Sequence, residues 1–555
     1  MWWALVLLFG LLSQSFAADD LIVEIQAGKV QGTSYTSPNG KEFYTWRHIP
    51  YAKPPLGDLR FQPPVRPDSW TNILDGSKDS PACLPVTSSD MDSVSTYGYS
   101  EDCLYINVYS PVPANSSASF SVMFWIYGGG FVGGSGDFSL TDPTALLEDN
   151  VIVVTFNYRL DIFGFLSTED SIVPGNAALK DQLAALIWTK KNIAFFGGNP
   201  MDITIFGGSA GAISVGYHII SPMSRNLFQG AIMQSGAAVT NCLQANPRAN
   251  AVAVAKQIDP TITDESSSET IMEVLQATDA QLLVNVSLAT RVFDAAISTF
   301  TPIIEVEEDN PTPFISRPLY EEIKVGNITK VPIIIGTNSE EGLVLVQTTD
   351  ELNDLAQYYD ANPDILLPNM NLKDGVSKDT VVELIKEAYA GNSSFEDDPA
   401  SLIRLVSDAS FVRPELKHGV LQSEFSNVYF YEFSFVGTLS ADRLQIPGCG
   451  KVAHGDEVGY LFNISATPIE TEADYLTRSR LVKLWTNFAK TKNPTPEDDS
   501  AELLQNVTWE PLDKDNLQYL DIGENLELKY HRKAETTAFW DSLWEEYSFH
   551  PYNTF

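Results

Sequence analysis

Apolar residues follow two alternating rhythms along this chain. Short unbroken runs such as SVMFWIY (121–127) and VIVVTFNY (151–158) have no polar face, which predicts strands buried on both sides. DITIFGG (202–208), GAIMQSG (230–236), VPIIIG (331–336) and VYFYEFSF (428–435) repeat the pattern. Between them, LKDQLAALIWTKKNIAFF (179–196) spaces its apolar residues by three and four, the helical period. AGAISVGYHII (210–220) and SRLVKLWTNFAK (479–490) read as further helices. Strands alternating with helices predict an α/β fold with a large central, mostly parallel sheet covered by helices. No internal repeat or low-complexity linker divides the 555 residues. A single large domain with insertions is expected, rather than three or four small ones.

The first residues change the picture of where the chain goes. MWWALVLLFGLLSQSFA is apolar from Trp2 to Leu12, too short to span a bilayer, and ends in the small-x-small pair Ser15 and Ala17. A signal peptide over 1–17 and a mature domain over 18–555 are expected, hence a secreted, extracellular protein with no stable membrane anchor. Asn115, Asn285, Asn327, Asn392, Asn463 and Asn506 stand in N-x-S/T sequons and are glycosylation candidates. The formal charge of −37 repels nucleic acid and anionic membranes, and draws cations from a distance. Of four cysteines, Cys83 and Cys103 bracket a polar stretch and can close a short loop in an oxidising compartment. Nothing comparable pairs Cys242 with Cys449. No cysteine or histidine cluster has zinc spacing, so no metal is expected.

The candidate chemistry centres on Gly207-Gly208-Ser209-Ala210-Gly211, a G-x-S-x-G motif between a predicted strand and a predicted helix. That setting forces a serine onto a sharp turn with its hydroxyl exposed, and the motif glycines avoid collisions with the neighbouring elements. A serine nucleophile needs a base, and the base needs an acid, in the chain order serine, acid, histidine. Among six histidines, His48 and His218 come too early or too close, His418 falls in a helical stretch, and His531 and His550 lie in the C-terminal tail. His454 follows a strand in the glycine-rich loop IPGCGKVAHGDEVGY, where a base is needed. For the acid, VPIIIGTNSEEG offers Glu340 and Glu341, one reaching His454 and the other solvated. FWIYGGGF ends a strand in Gly128-Gly129-Gly130, unhindered amides for an oxyanion beside the amide of Ala210. The glycine run has neither a P-loop lysine nor the G-x-G-x-x-G spacing, which discounts phosphate.

RFQPP, SEDCLYINVYSP, FWIYGGGF, NYRLDIFGFLS, GNAALKDQLAALIWTKKNIAFFGGNP, ITIFGGSAGA, QSG, GTNSEEG, AHGDEVGYLF and LWTNFAKTKNPTP together resemble the type-B carboxylesterase/cholinesterase family, in the same order from about Ile22 to Trp540. The style is most similar to secreted insect carboxylesterases. The resemblance implies an α/β-hydrolase fold and hydrolysis of a small-molecule carboxylic ester through an acyl-serine, with no cofactor. It implies Ser209 as nucleophile, Glu341 as acid, His454 as base, and Gly129, Gly130 and Ala210 as oxyanion donors. It also implies a Cys83–Cys103 disulfide, buried pairs of Arg60 with Glu101 and of Arg159 with Asp181, and Ser235 close to the triad. Two positions depart from the family. Gly208 stands where Glu is usual, or Gln in the juvenile hormone esterases, and the Cys83–Cys103 loop has no Trp to hold a quaternary ammonium. Neutral esters (odorant or pheromone, lipid, xenobiotic) are therefore the expected substrates. A juvenile hormone esterase-like hydrolase is the alternative, and so is a non-catalytic adhesion protein of the same fold.

Overall fold

A computed structural model of the chain describes residues 21–555 apart from 86–96, 291–298, 309, 311, 368–369, 442, 465–467 and 498–500. The expected signal peptide lies outside the described residues. Among them, eleven strands form one sheet. In chain order they are β1 (Thr33–Thr36), β2 (Glu42–Pro50), β3 (Tyr105–Ser110), β4 (Phe120–Ile126), β5 (Ile152–Phe156), β6 (Gly198–Gly208), β7 (Gly230–Gln234), β8 (Ile333–Asn338), β9 (Val428–Phe433), β10 (Tyr519–Ile522) and β11 (Leu526–Lys529). Across the sheet the order is β11-β10-β9-β8-β7-β6-β4-β5-β3-β2-β1.

The seven strands from β10 to β5 run parallel, and the edges are antiparallel. This is why the sequence pattern divides as it does. Every residue of β5, β7 and β8 is buried, as parallel strands covered on both faces require. The edge strands mix charge with apolar residues, as in EFYTWRHIP of β2, and so leave no unbroken apolar run to find.

Of helices α1 (Ala177–Asn192), α2 (Ala210–Ile220), α3 (Pro399–Ser407), α4 (Arg413–Ser423), α5 (Glu472–Thr491) and α6 (Ala534–Tyr547), α1, α2, α4 and α5 pack on the sheet, α6 packs on α4, and α3 packs on the turn that follows β8. The helix expected over 179–196 begins earlier and stops sooner. Its last part, Ile193–Phe196, is a tighter 3₁₀ turn ended by Gly197 at φ 84°. α2 spans 210–220 as expected and packs on β6, β7 and β4. One large core joins the sheet to these helices, with a smaller apolar cluster around Leu343, Leu352 and Ile403 beside it, so one domain fits. This large, mostly parallel, helix-covered sheet is an α/β-hydrolase fold.

Candidate active site

The site lies where the parallel strands end, the usual location for ligands in such sheets. Ser209 follows β6 directly and caps α2 with φ 56° and ψ −126°, a conformation that non-glycine residues rarely hold and that costs about 1–3 kcal/mol. Its neighbours enforce it. The Ser209 amide donates to the Gln234 carbonyl of β7 at 2.7 Å, and its carbonyl accepts from Ile213 of α2 at 3.0 Å. A Cβ on Gly211 would sit 2.0 Å from the Ile126 carbonyl oxygen, and one on Gly207 2.6 Å from that same atom. Strand and helix can approach this closely only with glycine at both positions. Gly208 differs, because a Cβ there would meet nothing nearer than Val458 Cγ2 at 3.3 Å and Trp125 at 3.5 Å.

Glu341 begins a short 3₁₀ turn after β8 and is fully buried. Its Oε2 lies 2.7 Å from His454 Nδ1, while its Oε1 accepts from Ser235 Oγ and from the Asn338 amide, both at 2.6 Å. Burial pulls the His454 pKa down. The hydrogen bond and charge of Glu341, with the charges of Glu457 and Asp456, outweigh that and leave it above the ordinary value.

Glu340 is not the solvated carboxylate that the sequence reading expected. It is 4% exposed, accepting from Ser407 Oγ at 2.6 Å and from the Gly450 amide at 2.9 Å, which ties β8 to α3 and to the His454 loop. The two adjacent side chains point to different partners, and only Glu341 meets the imidazole.

Gly129 and Gly130 follow β4 with φ of 108° and 61°. A Cβ on Gly129 would fall 2.4 Å from the Gly133 carbonyl, so the loop closes only on glycine. Gly129, Gly130, Ser209, Ala210 and His454 line one cavity of about 1000 Å³. Ser209 is half-buried, and its hydroxyl has no hydrogen-bond partner among the described residues. Such contacts commonly tighten only around substrate. Apolar residues of this cavity include Leu345, Ile365, Leu405, Val406, Phe411 and Val458.

The other histidines are engaged elsewhere. His218 meets Ser224 and Gln182, and His418 meets Gln422 and the Ala238 amide. Burial lowers their pKa values to about 3 and about 4.

Sequence reasoning missed Glu457, three residues after His454 and fully buried. It accepts from Gln234 Nε2 at 3.1 Å and Asn338 Nδ2 at 2.6 Å. Burial, with the charge of Glu341, pushes its pKa up to about 7. The AHGDEVGY segment held the signal, but nothing in it distinguished Glu457 from a solvated loop carboxylate.

Cys83 and Cys103 form a disulfide with Cα atoms 5.1 Å apart. Cys242 and Cys449 are free thiols, that of Cys242 3.0 Å from Tyr217 Oη. Arg60 Nε reaches Glu101 Oε2 at 2.7 Å, and Arg159 grips Asp181 through two 2.7 Å bonds. Of the sequon asparagines, Asn115, Asn285, Asn392 and Asn506 are exposed. Asn327 and Asn463 engage Glu322 and Asp142 through their side-chain amides. Among the described residues, no helix is long and apolar enough to cross a membrane, and no side-chain cluster could hold a metal.

A serine at a strand-to-helix elbow, beside a carboxylate–imidazole pair on an α/β sheet, defines the class of serine hydrolases built on this fold. Comparison narrows the class. The model of the carboxylesterase family matches residues 19–540, and the chain belongs to that family. It is 33% identical to a juvenile hormone esterase of Tribolium castaneum over 91% of this chain and 88% of that one. It is 32% identical to a carboxylic ester hydrolase of Bombus ignitus over 94% of both. The crystal structure of juvenile hormone esterase from Manduca sexta, with OTFP covalently attached, superposes with a TM-score of 0.84 at 28% identity, covering 95% of this chain and 99% of that one. The protein is a serine carboxylic-ester hydrolase acting on small-molecule esters.

Proposed function

We propose that the chain is secreted and cleaves neutral carboxylic esters through an acyl intermediate on Ser209. His454 Nε2 takes the Ser209 proton as the hydroxyl attacks the ester carbonyl, and Glu341 holds Nδ1–H and balances the imidazolium. The amides of Gly129, Gly130 and Ala210 receive the oxyanion. The imidazolium returns its proton to the leaving alcohol, and water activated by the same base then releases the acid. The observation that carries this reading is the Glu341–His454 hydrogen bond at the cavity that Ser209 lines. The apolar walls favour uncharged substrates. Two of the similar proteins are juvenile hormone esterases, so a hormone ester is the second reading. Against it stands Gly208, where the sequence resemblance expects Gln.

Titration with a fluorophosphonate tests the proposal: wild type should label once per chain and Ser209→Ala not at all. Equal labelling of both, or none of either, would refute it. A panel of neutral esters of varied acyl and alcohol size, scored by kcat/KM, separates the two substrate readings.

A further inference from the structure

α3 and α4 are joined by one wide π-helical turn, Asp408–Val412, in which the Arg413 amide donates to the Asp408 carbonyl. Such a turn inserts one extra residue into a helix, and insertions of this kind recur at functional sites. Here the turn carries Phe411 to the cavity, with its ring centroid 4.6 Å from that of His454 and the planes tilted by 40°.

We propose that Phe411 is a positioning residue for the hydrolysis, pinning the His454 imidazole and stabilising the imidazolium that forms in the transition state. The inference rests on His454 being the base of the Ser209 reaction. Glu341 fixes the imidazole from one edge only, through Nδ1, and leaves rotation about that hydrogen bond unchecked. A ring packed against the imidazole restricts that rotation. An aromatic face within about 6 Å also attracts a cation, the more so when water is kept off, and the His454 side chain is only 14% exposed.

The charged groups around the pair are accounted for. Glu341, Glu457 and Asp456 are the charges that act on His454. On the Phe411 element, Asp408 is paired with Lys533, and the Arg413 guanidinium packs over Trp540 at 4.6 Å. No other aromatic pairing of the imidazole is found among the described residues.

The test compares Phe411→Leu, which keeps bulk and removes the π face, with Phe411→Tyr, which keeps the face. Phe411→Leu should lower kcat roughly 2- to 30-fold, the range of a cation–π contact. KM should change less than kcat, and the acid limb of the kcat/KM profile should move to lower pH. Phe411→Tyr should restore both kcat and the limb. A wild-type kcat and pH profile in Phe411→Leu, or an effect confined to KM, would overturn the proposal and leave Phe411 a cavity wall. The melting temperature checks folding, and Phe411→Met replaces the leucine variant if that one does not fold. Fluorophosphonate labelling of wild type against Ser209→Ala reports on the underlying reading separately, since its failure would appear there and not in the Phe411 series.

Discussion

Replacing Glu341 by Gln changes one atom, yet the hydrogen bonds around it dictate a large effect. Oε1 accepts at 2.6 Å from the Ser235 hydroxyl and from the Asn338 backbone amide, a donor that cannot reverse. The amide oxygen of the new glutamine must take that place, which turns its NH₂ group toward His454 Nδ1, where Oε2 stood at 2.7 Å. A donor there demands an unprotonated Nδ1 and moves the ring proton to Nε2. His454 then presents a donor to Ser209 rather than a base. A wrong tautomer of this kind costs roughly 10⁴-fold in kcat, against roughly 10⁶-fold for loss of the nucleophile or the base. Steady-state hydrolysis of a neutral chromogenic acetate measures it, with fluorophosphonate stoichiometry as the count of folded enzyme. Glu340→Gln is the control, since it loses one bond to Ser407 or Gly450. It should cost about 1–3 kcal/mol of stability with kcat nearly unchanged. If Glu341→Gln kept more than about a tenth of wild-type kcat, or Glu340→Gln were the more damaging change, the tautomer argument would fail.

Four further outcomes are expected. The acid limb of the kcat/KM profile should lie above the ordinary histidine value of 6.5, because the carboxylates around His454 outweigh its burial, and Glu457→Gln should move it down by removing one of those charges; a limb below 6.5 would contradict this. The same raised pKa stabilises the fold below pH 6.5, a contribution that fades as pH rises through the folded value, and denaturant titrations of wild type against His454→Ala across that range measure it. Replacing both Cys83 and Cys103 by Ser opens a loop of sequence separation 20 and should cost about 3 kcal/mol by chain entropy, read by denaturant unfolding. Gly211→Ala should abolish folded, labelled enzyme, with its Cβ 2.0 Å from the Ile126 carbonyl, whereas Gly208→Ala should fold and label normally; equal tolerance at both positions would refute the steric reading of the elbow.

What could be read from the sequence tracks how local the cause is. The elbow was legible because strand, motif and helix are contiguous from Gly198 to Ile220. The buried central strands were legible because two-sided burial leaves unbroken apolar runs, as in Ile333–Asn338. The edge strands were not, because one exposed face admits charged residues such as Glu42. The choice between Glu340 and Glu341 could not come from local pattern, since their partners, Ser407 and Gly450 for one and His454 for the other, lie more than sixty residues away. Phe411 was hidden for a related reason. Nothing in the ASFVRP stretch announces the extra residue of the wide turn that brings its ring to His454.

The charge of −37 should draw cationic esters toward this enzyme, yet neither tryptophan of the cavity offers a quaternary ammonium an open face. Holding such a group takes an open aromatic face, which contributes up to about 2 kcal/mol when desolvated, or some thirtyfold in affinity. The aromatic side chains of the cavity wall are Trp125, Phe131, Tyr359, Phe411 and Trp540. Phe131 and Tyr359 are buried, and the Phe411 ring is packed on His454. Trp125 is 3% exposed and packed between Phe206 and Phe462, each with ring centroids 4.8 Å away. Trp540 already carries a cation, the Arg413 guanidinium at 4.6 Å, which would repel a second one. Beside the nucleophile, Gly208 offers no carboxylate. The remaining buried acid of the wall, Glu457, is bonded to Gln234 and Asn338, and its pKa of about 7 leaves it only partly charged at neutral pH. Steering raises the rate of encounter but holds nothing at the reaction centre. The kcat/KM for 3,3-dimethylbutyl acetate, the neutral isostere, should therefore equal or exceed that for acetylcholine at physiological salt. Raising the salt should lower only the value for acetylcholine, because exposed charges are screened within about 3 Å at 1 M. A preference for acetylcholine that survives high salt would require an open aromatic face, and the packing around these rings would then have to be wrong.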